Sequence, residues 1–390
     1  MHSPDAWVLR AGETGAPSAD GDGCALRREV FPFGPLEAGE VLVEPVLGSW
    51  EANIEHALAR SPIDICRSRG EQAVVVGNLG VVRVLKTHSA GPGKRLREGD
   101  LCLLMPFGVT DPYGYAELAY GYDAPHTIGL MARLSKIDER LLLPIPADTA
   151  YSLEQWATYG RYFTAWDNWQ RALGCWRTQI PDDDPGNHLV FGWGGGVAFA
   201  ELLLARRAGF RVAMTAGSDE RLAFLRDNGI TPVDRRKFPD LSLPGGRGAP
   251  SPEVHRRHRA SQAGFLELVA ELSDGKGVAI FVDNIGEPLY GVTVPALSRQ
   301  GVITTCGWKA GMRLTSLRGA ECINRHIHVH THVWRLQDSP HIRDVQESSG
   351  WMAPAGSTVV YDFDRIPELA DDYAHGRIGS YFPLYRVNPV

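Results

Sequence analysis

His188-Leu189-Val190-Phe191-Gly192-Trp193-Gly194-Gly195-Gly196-Val197-Ala198 is the stretch of this chain that decides the fold. Its first six residues form an apolar run of strand length, and from Val197 to Ala208 apolar residues recur at helical spacing. A strand that enters a helix through consecutive glycines has the layout of a dinucleotide site. Lacking Cβ atoms, the glycines let the backbone turn tightly and approach a pyrophosphate, whose charge meets the free N–H groups at the helix start. A glycine cluster alone is weak evidence, because any tight turn can use one; the strand–turn–helix context strengthens it. The spacing departs from a strict G-x-G-x-x-G, since Val197 stands in the last place. Gly192, Gly194, Gly195, Gly196 and Val197 are the resulting candidates for cofactor binding.

Working outward, Phe210-Arg211-Val212-Ala213-Met214-Thr215 reads as the next strand, and Ser218-Asp219-Glu220 as the start of a helix. Val278–Val282 and Gly301–Thr305 are short apolar strands around the helical stretch Pro288–Ser298. Strands and helices in alternation predict an α/β architecture, a doubly wound parallel sheet of Rossmann type. Cofactor choice is read at the end of the second strand, where an Asp or Glu would bind the ribose hydroxyls of NAD. This chain has Thr215-Ala216-Gly217-Ser218 there, with Arg221 one helical turn on. A hydroxyl and a guanidinium suit a 2′-phosphate, so NADPH is preferred, with Ser218 and Arg221 as its candidates. A plain N-cap at Ser218, with Arg221 in solvent, is compatible with cofactor binding too.

Upstream, from about Glu40 to Leu143, short strands punctuated by turns predict a compact β-rich domain. Pro144-Ile145-Pro146 ends it, and the aromatic stretch Tyr151 to Leu173 is helix-compatible. At 390 residues the chain exceeds the ~250–300 at which single cores stop growing. Two domains are expected, at 1–150 and 151–345. Pro239 to Gln262, rich in Pro, Gly, Ser and Arg, is long and polar for a βα connection and reads as a functional or poorly ordered insertion. Its cluster His255-Arg256-Arg257-His258-Arg259 reads as a solvated face more readily than as a ligand site.

A formal charge of −6 gives no reason to expect nucleic-acid or membrane-surface binding. No apolar run approaches the ~20 residues of a membrane helix, and Met1-His2-Ser3-Pro4-Asp5 does not open a signal peptide. A cytoplasmic location is the expectation. Cys24, Cys66, Cys102, Cys175, Cys306 and Cys322 are scattered, with no C-x-x-C pair, which predicts reduced and mostly buried thiols.

At these residues the chain resembles the medium-chain dehydrogenase/reductase superfamily, on its zinc-independent quinone-oxidoreductase and enoyl-reductase side. The resemblance spans most of the chain. It rests on the G-x-x-G-G-V-A form of the glycine turn, on Val282-Asp283-Asn284-Ile285-Gly286, and on Gly301-Val302-Ile303-Thr304-Thr305-Cys306-Gly307. Arg97-Glu98-Gly99-Asp100 resembles the family's P-G-D turn. The segment from Tyr361-Asp362-Phe363 to Gly376-Arg377-Ile378-Gly379 resembles its C-terminal return to the first domain. The resemblance implies a GroES-like β domain completed by 346–390, a Rossmann domain, and Thr164, Asn284, Cys306 and Gly307 near the nicotinamide. Where zinc-dependent members carry a cysteine, this chain reads Val46-Leu47-Gly48-Ser49-Trp50, and in place of Gly-His-Glu it reads Gly77-Asn78-Leu79. No catalytic zinc is expected.

Within the superfamily, Gly121-Tyr122-Asp123-Ala124-Pro125 and Ile303-Thr304-Thr305-Cys306 are similar to the crotonyl-CoA reductase/carboxylase group. Carboxylating members hold CO2 with an Asn, a Glu and a His; here Asn53 matches the first, Asp123 shortens the second and Arg313 replaces the third. Asn53, Tyr122, Asp123 and Arg313 are the catalytic candidates that the resemblance supplies. Asp123 reads equally as a turn carboxylate, Tyr122 more as packing, and Arg313 as a carboxylate binder or a surface residue. His326, His328, His330 and His332 share a strand face at period two; the resemblance places this strand near the edge of the Rossmann sheet, where related proteins pair subunits, which favours a dimer-edge strand, hence a homodimer, over a metal site. The activity expected is NADPH-dependent reduction of an activated double bond, on an acyl thioester of CoA or a carrier protein. A quinone or carbonyl reductase and a catalytically idle dinucleotide-binding partner are the alternatives.

Overall fold

A computed structural model describes residues 1–12, 25–88, 95–243, 251–307, 318–331 and 334–389, without the side chains of 318–320 and 331. The expectations placed on Cys24, Arg313, His332 and the stretch 244–250 fall outside these residues. The chain divides into two compact units, Met1–Phe163 with Trp334–Val390, and Thr164–Val333.

The first unit is built on a sheet whose strands run in the order Leu142–Pro144, Leu101–Leu104, Gly80–Thr87, Glu40–Ser49, Phe382–Arg386, Thr358–Asp362. The strand Ser135–Asp138 also pairs with Glu40–Ser49. Glu40–Ser49 holds the middle because Val41, Val43, Val46 and Leu47 leave it apolar on both faces, and all four are fully buried. The C-terminal strand closes onto it antiparallel, with Leu384 opposite Ser49, Tyr385 opposite Gly48 and Arg386 opposite Leu47.

The second unit carries strands β1 (Leu189–Trp193), β2 (Arg211–Ala216), β3 (Thr231–Asp234), β4 (Val278–Asp283), β5 (Leu297–Thr305) and β6 (His328–Thr331). Its helices include α1 (Gly196–Arg207), α2 (Asp219–Asp227), α3 (Pro252–Leu272) and α4 (Glu287–Ala296). All strand pairs are parallel, in the order β3-β2-β1-β4-β5-β6. That order winds outward from β1 in both directions, so connections leave β1 and β4 on opposite sides and open a crevice at their carboxyl ends. Phe191, Trp193, Phe265 and Phe281 fill the core, with Trp193 and Phe281 ring centres 4.7 Å apart and Phe191 and Phe265 5.4 Å apart.

Three local expectations need correction. The second half of the supposed insertion 239–262 is the start of α3, capped by Ser251, whose Oγ accepts from the Val254 N–H, with Pro252 in the first turn. Arg256, Arg257 and Arg259 are exposed as expected, while Phe265 and Val269, one turn apart, bury the far end of the helix. Burying a phenyl ring such as Phe265 is worth about 1.5–3 kcal/mol, which explains why so polar an N-terminal half is carried as helix. His326 has φ +54 and precedes β6, so only His328 and His330 alternate on that strand among the described histidines. Of the five described cysteines, Cys66 and Cys102 are buried, Cys175 and Cys306 part-buried, and Cys322 is exposed. No helix among the described residues is long and apolar enough to cross a membrane.

Candidate functional site

The glycine turn joins β1 to α1. Gly194 has φ +137, and a Cβ there would lie 2.9 Å from the Cβ of Asn284, so only glycine fits. Gly195, by contrast, is exposed, and a Cβ on it would meet none of the described residues within 4 Å. It is the N-cap of α1 and offers no side-chain cap, so the first amides of a twelve-residue helix face that open space. Gly192 and Gly196 are buried and Val197 is part-buried.

Beside the turn, the Asn284 N–H donates to the Trp193 carbonyl at 3.2 Å, and its Oδ1 accepts from the Cys306 N–H at 3.0 Å. A Cβ at Gly307 would run into the Asn284 backbone. Gly194, Asn284, Cys306 and Gly307 thus meet at the carboxyl ends of β1, β4 and β5. Thr164 is buried on the helix Tyr159–Gln179. On the same helix, the Asn168 amide donates to Glu201 Oε2 at 2.9 Å and accepts from Thr304 Oγ1 at 2.5 Å. Burial drives the Glu201 pKa well up despite that bond, and burial, then the nearby Glu201, pushes up that of the Cys306 thiol.

Beyond β2 lies a cavity of about 490 Å³, bordered by Gly194, Thr215, Gly217, Arg221, Arg235 and Arg236 with apolar walls that include Leu241 and Ile285. No carboxylate lines it among the described residues. Arg235 lies against Gly217, where any side chain would displace its guanidinium. Arg236 is bound to Asp219 at 2.5 Å and Asp234 at 2.8 Å, and Arg221 and Arg235 line the same cavity. Ser218 Oγ accepts from the Arg221 N–H at 3.3 Å, so this hydroxyl caps α2.

In the first unit, Tyr385 reaches across its strand partner, and a Cβ at Gly48 or Gly77 would collide with its ring or hydroxyl. The Tyr385 and Tyr122 hydroxyls, both polar atoms of the Asn78 side chain, Ser49 Oγ and Glu51 Oε1 are buried without a hydrogen-bond partner among the described residues. Glu51 caps the helix Ala52–Ala59, its Oε2 accepting from the Asn53 N–H at 2.9 Å. Burial pushes the Glu51 carboxyl up to about 7, against the Asn53 amide and the Arg161 guanidinium. Arg161 donates to the Trp50 and Tyr381 carbonyls. Burial raises the phenol pKa of Tyr122 and of Tyr385, and the Glu51 charge raises each further. Among the described residues no three His, Cys, Asp or Glu side chains form a group able to hold a metal.

The sequence matches no protein-family model and no curated protein. Solved structures are similar over the whole chain. The crotonyl-CoA carboxylase/reductase AntE in complex with NADP superposes with a TM-score of 0.75 at 20% identity, covering 100% of this chain and 95% of that one. The 2-octenoyl-CoA carboxylase reductase CinF of a Streptomyces species, with NADP and 2-octenoyl-CoA, gives 0.76 at 20%, covering 99% and 88%. The 2R,3R-butanediol dehydrogenase of Bacillus subtilis gives 0.72 at 15%, covering 99% and 100%. This chain shares the fold of these solved oxidoreductase structures.

Within this fold Gly194, Asn284, Cys306 and Gly307 meet, and Gly194 and Arg221 border one cavity, while Asn53, Tyr122 and Asp123 are each held by local structure. Asn53 stands on the first turn of its helix, part-buried, and its backbone serves the Glu51 cap. Asp123 Oδ1 accepts from the Ala119 N–H at 2.6 Å, the turn role weighed for it above. Tyr122 is in the apolar core, yet its hydroxyl is one of the unpaired groups. Arg235, Glu51, Asn78 and Tyr385 escaped the sequence reading. The Arg235-Arg236-Lys237 run at the end of a strand was the available signal for the first, while Glu51 read locally is only a helix cap.

Proposed function

We propose that this chain is an NADPH-dependent, zinc-free reductase that delivers hydride to an activated double bond, in an enoyl thioester or similar α,β-unsaturated carbonyl. The observation that carries the reading is the carboxylate-free cavity at the end of β2, with Arg221 and Arg235 at its edge. The residues fit the cofactor in three ways. Uncapped amides at the start of α1 suit a pyrophosphate, open space at Gly195 admits it, and two guanidiniums suit a 2′-phosphate. Gly192, Gly196 and Val197 shape the turn, Ser218 sets the start of α2, and Thr164, Asn284, Cys306 and Gly307 are assigned to the nicotinamide side. Bound there, the dihydronicotinamide supplies hydride.

The zinc-free reading is supported by what occupies the segments where zinc-dependent members keep ligands. Here Gly48 and Gly77 make room for the Tyr385 ring, and Asn78 follows them. The substrate class follows the likeness to carboxylase/reductases of crotonyl-CoA and 2-octenoyl-CoA. Two copies are proposed to pair along β6, the sheet edge, which sedimentation velocity would test by returning twice the chain mass.

The test is tryptophan fluorescence titration with NADPH and NADH. Losing one guanidinium from a phosphate costs about 2 kcal/mol, so Arg221→Ala and Arg235→Ala should each weaken NADPH roughly 30-fold and leave NADH unchanged. Equal wild-type affinity for the two cofactors would sink the 2′-phosphate assignment. NADPH oxidation with quinones alone, and none with enoyl thioesters, would overturn the substrate class.

A further inference from the structure

Between β3 and α3 the chain does more than connect. Phe238, Pro239, Leu241 and Ser242 line the cavity at the end of β2, together with Pro288 and Leu289 from the first turn of α4. Guanidiniums joined to apolar walls suit a phosphate carried on a flat aromatic base. A wall of irregular backbone has no ladder of its own, so something else has to hold it in place. Leu241 is 7% exposed and belongs, with Phe238 packed alongside, to the core around Phe265, whose ring meets that of Phe238 edge-on at 5.7 Å. Asp240, which stands between two lining residues, is fastened to α3 by three of its groups. Its carbonyl accepts from His258 Nδ1 at 2.8 Å, its N–H donates to Ser261 Oγ at 3.3 Å, and its carboxylate meets Arg257 Nε at 3.4 Å. A carbonyl only accepts, so Nδ1 carries the hydrogen. His258 and Ser261, three residues apart, share a face of the helix. The Arg257 side chain is 55% exposed, and an open ion pair of that length adds little, so the two hydrogen bonds do the fastening. None of Asp240, His258 and Ser261 is among the described residues that line the cavity.

We propose that His258 and Ser261 are positioning residues for the cofactor: through Asp240 they hold the wall 238–242 against which the adenosine end of the dinucleotide lies. This rests on the dinucleotide reading above and gives the middle of the 239–262 segment a task. Arg221 and Arg235 are assigned to the 2′-phosphate and separate NADPH from NADH. The wall meets the adenosine that both cofactors share, so loosening it weakens both alike. With the two bonds gone, a wall that stands in place only about a tenth of the time lowers the apparent affinity about tenfold. The hydride step is spared, because the nicotinamide is at the other end of the cofactor. The signature is a raised KM for the cofactor at constant kcat.

The test uses the full chain and three variants. His258→Ala removes the shorter bond, Ser261→Ala the longer one, and His258→Asn offers an amide N–H in place of the imidazole N–H. All three lie on the polar half of α3, away from Phe265 and Val269, so they should fold. Calorimetric titration with NADPH, NADH and ADP, which has the adenosine and no nicotinamide, reads the wall directly. His258→Ala should weaken all three by the same factor, about tenfold, and Ser261→Ala by about threefold. With an enoyl thioester, His258→Ala should raise KM for NADPH by that factor and leave kcat unchanged, and His258→Asn should recover most of the loss. Unchanged affinities in His258→Ala overturn the proposal, and so does a loss confined to NADPH, which would put His258 at the 2′-phosphate. A loss that His258→Asn does not recover removes the bond as its cause. Where no enoyl thioester is turned over, the affinities still decide, so the wall can stand when the substrate class falls. A wild-type chain that binds none of the three nucleotides removes the dinucleotide reading and the wall together.

Discussion

Glycines do opposite jobs in the two units. At Gly195 the missing side chain leaves open space at the helix start, and none of the described residues enters it. At Gly48 and Gly77 the missing side chains are replaced at once by Tyr385 from the far end of the chain. The first arrangement keeps donors ready for a ligand. The second uses the space to bring a phenol to Asn78 and the Glu51 neighbourhood. A glycine signature therefore says that something comes close, and only the neighbours say whether it is a ligand or the chain itself.

The sharpest way to break that contrast is at Tyr385. Tyr385→Ala should cost about 3–5 kcal/mol, as for other buried aromatic truncations, because the glycine floor cannot collapse into the gap. Gly48→Ala should cost about 1–3 kcal/mol in the wild type, by overpacking against the ring, and much less once the ring is gone. Denaturant unfolding of the two single variants and the double closes the cycle. Additive losses would mean that the two residues do not share the space.

The second test is pH. The folded Glu51 carboxyl is raised to about 7 from an ordinary value of 4.5, so between these limits the native state holds the extra proton. Stability contributed by that neutral acid is complete below the unfolded value and is lost as pH rises through the folded one. The loss should total on the order of 3 kcal/mol in the wild type and be absent in Glu51→Gln, which isolates this group from every other titration. Matching pH slopes in the two proteins would show that Glu51 is ionised as folded.

Smaller still is the effect expected at the nucleotide turn. Gly195→Ala meets no atom of the described residues, so the melting temperature should hold, while the methyl group crowds a pyrophosphate and should weaken NADPH about tenfold, or ~1.4 kcal/mol. A melting temperature that falls with unchanged affinity would reverse the roles assigned to the two glycine sites.

The nucleotide side was legible in sequence because its parts are contiguous. One strand, one turn and one helix start sit within a dozen residues, and the hydrophobic period changes at the turn itself. Arg235 was missed because its approach to Gly217 depends on β3 lying beside β2, a fact of sheet order. Tyr385 and Glu51 were harder, since they are joined only by the antiparallel pairing of Tyr385 with Gly48 across most of the chain. Local patterning also misled at 239–262, where proline and arginine masked a helix whose apolar contacts, Phe265 and Val269, come later. Resemblance led to Asn53, two residues from the carboxyl whose geometry is unusual.

Asp123 provides the mildest test. It reads as catalytic by resemblance and as a turn group by geometry, and the two readings separate cleanly. Burial raises its carboxyl pKa while the Ala119 amide pulls it back. Its Oδ1 is already taken by that amide, and neither of its oxygens is among the buried unpaired atoms of the described residues. Asp123→Asn keeps an acceptor oxygen in place and changes only the charge-assisted part of one backbone bond, which should cost about 1 kcal/mol or less. Thermal unfolding should register that small loss, and kcat with an enoyl thioester should stay within about twofold, because no reacting group leans on this carboxylate. A large fall in kcat with unchanged stability would instead make Asp123 a group that the reaction itself uses. Chemistry would then sit on a turn held by its own backbone, and the charge that the turn reading treats as structural would be one the reaction uses.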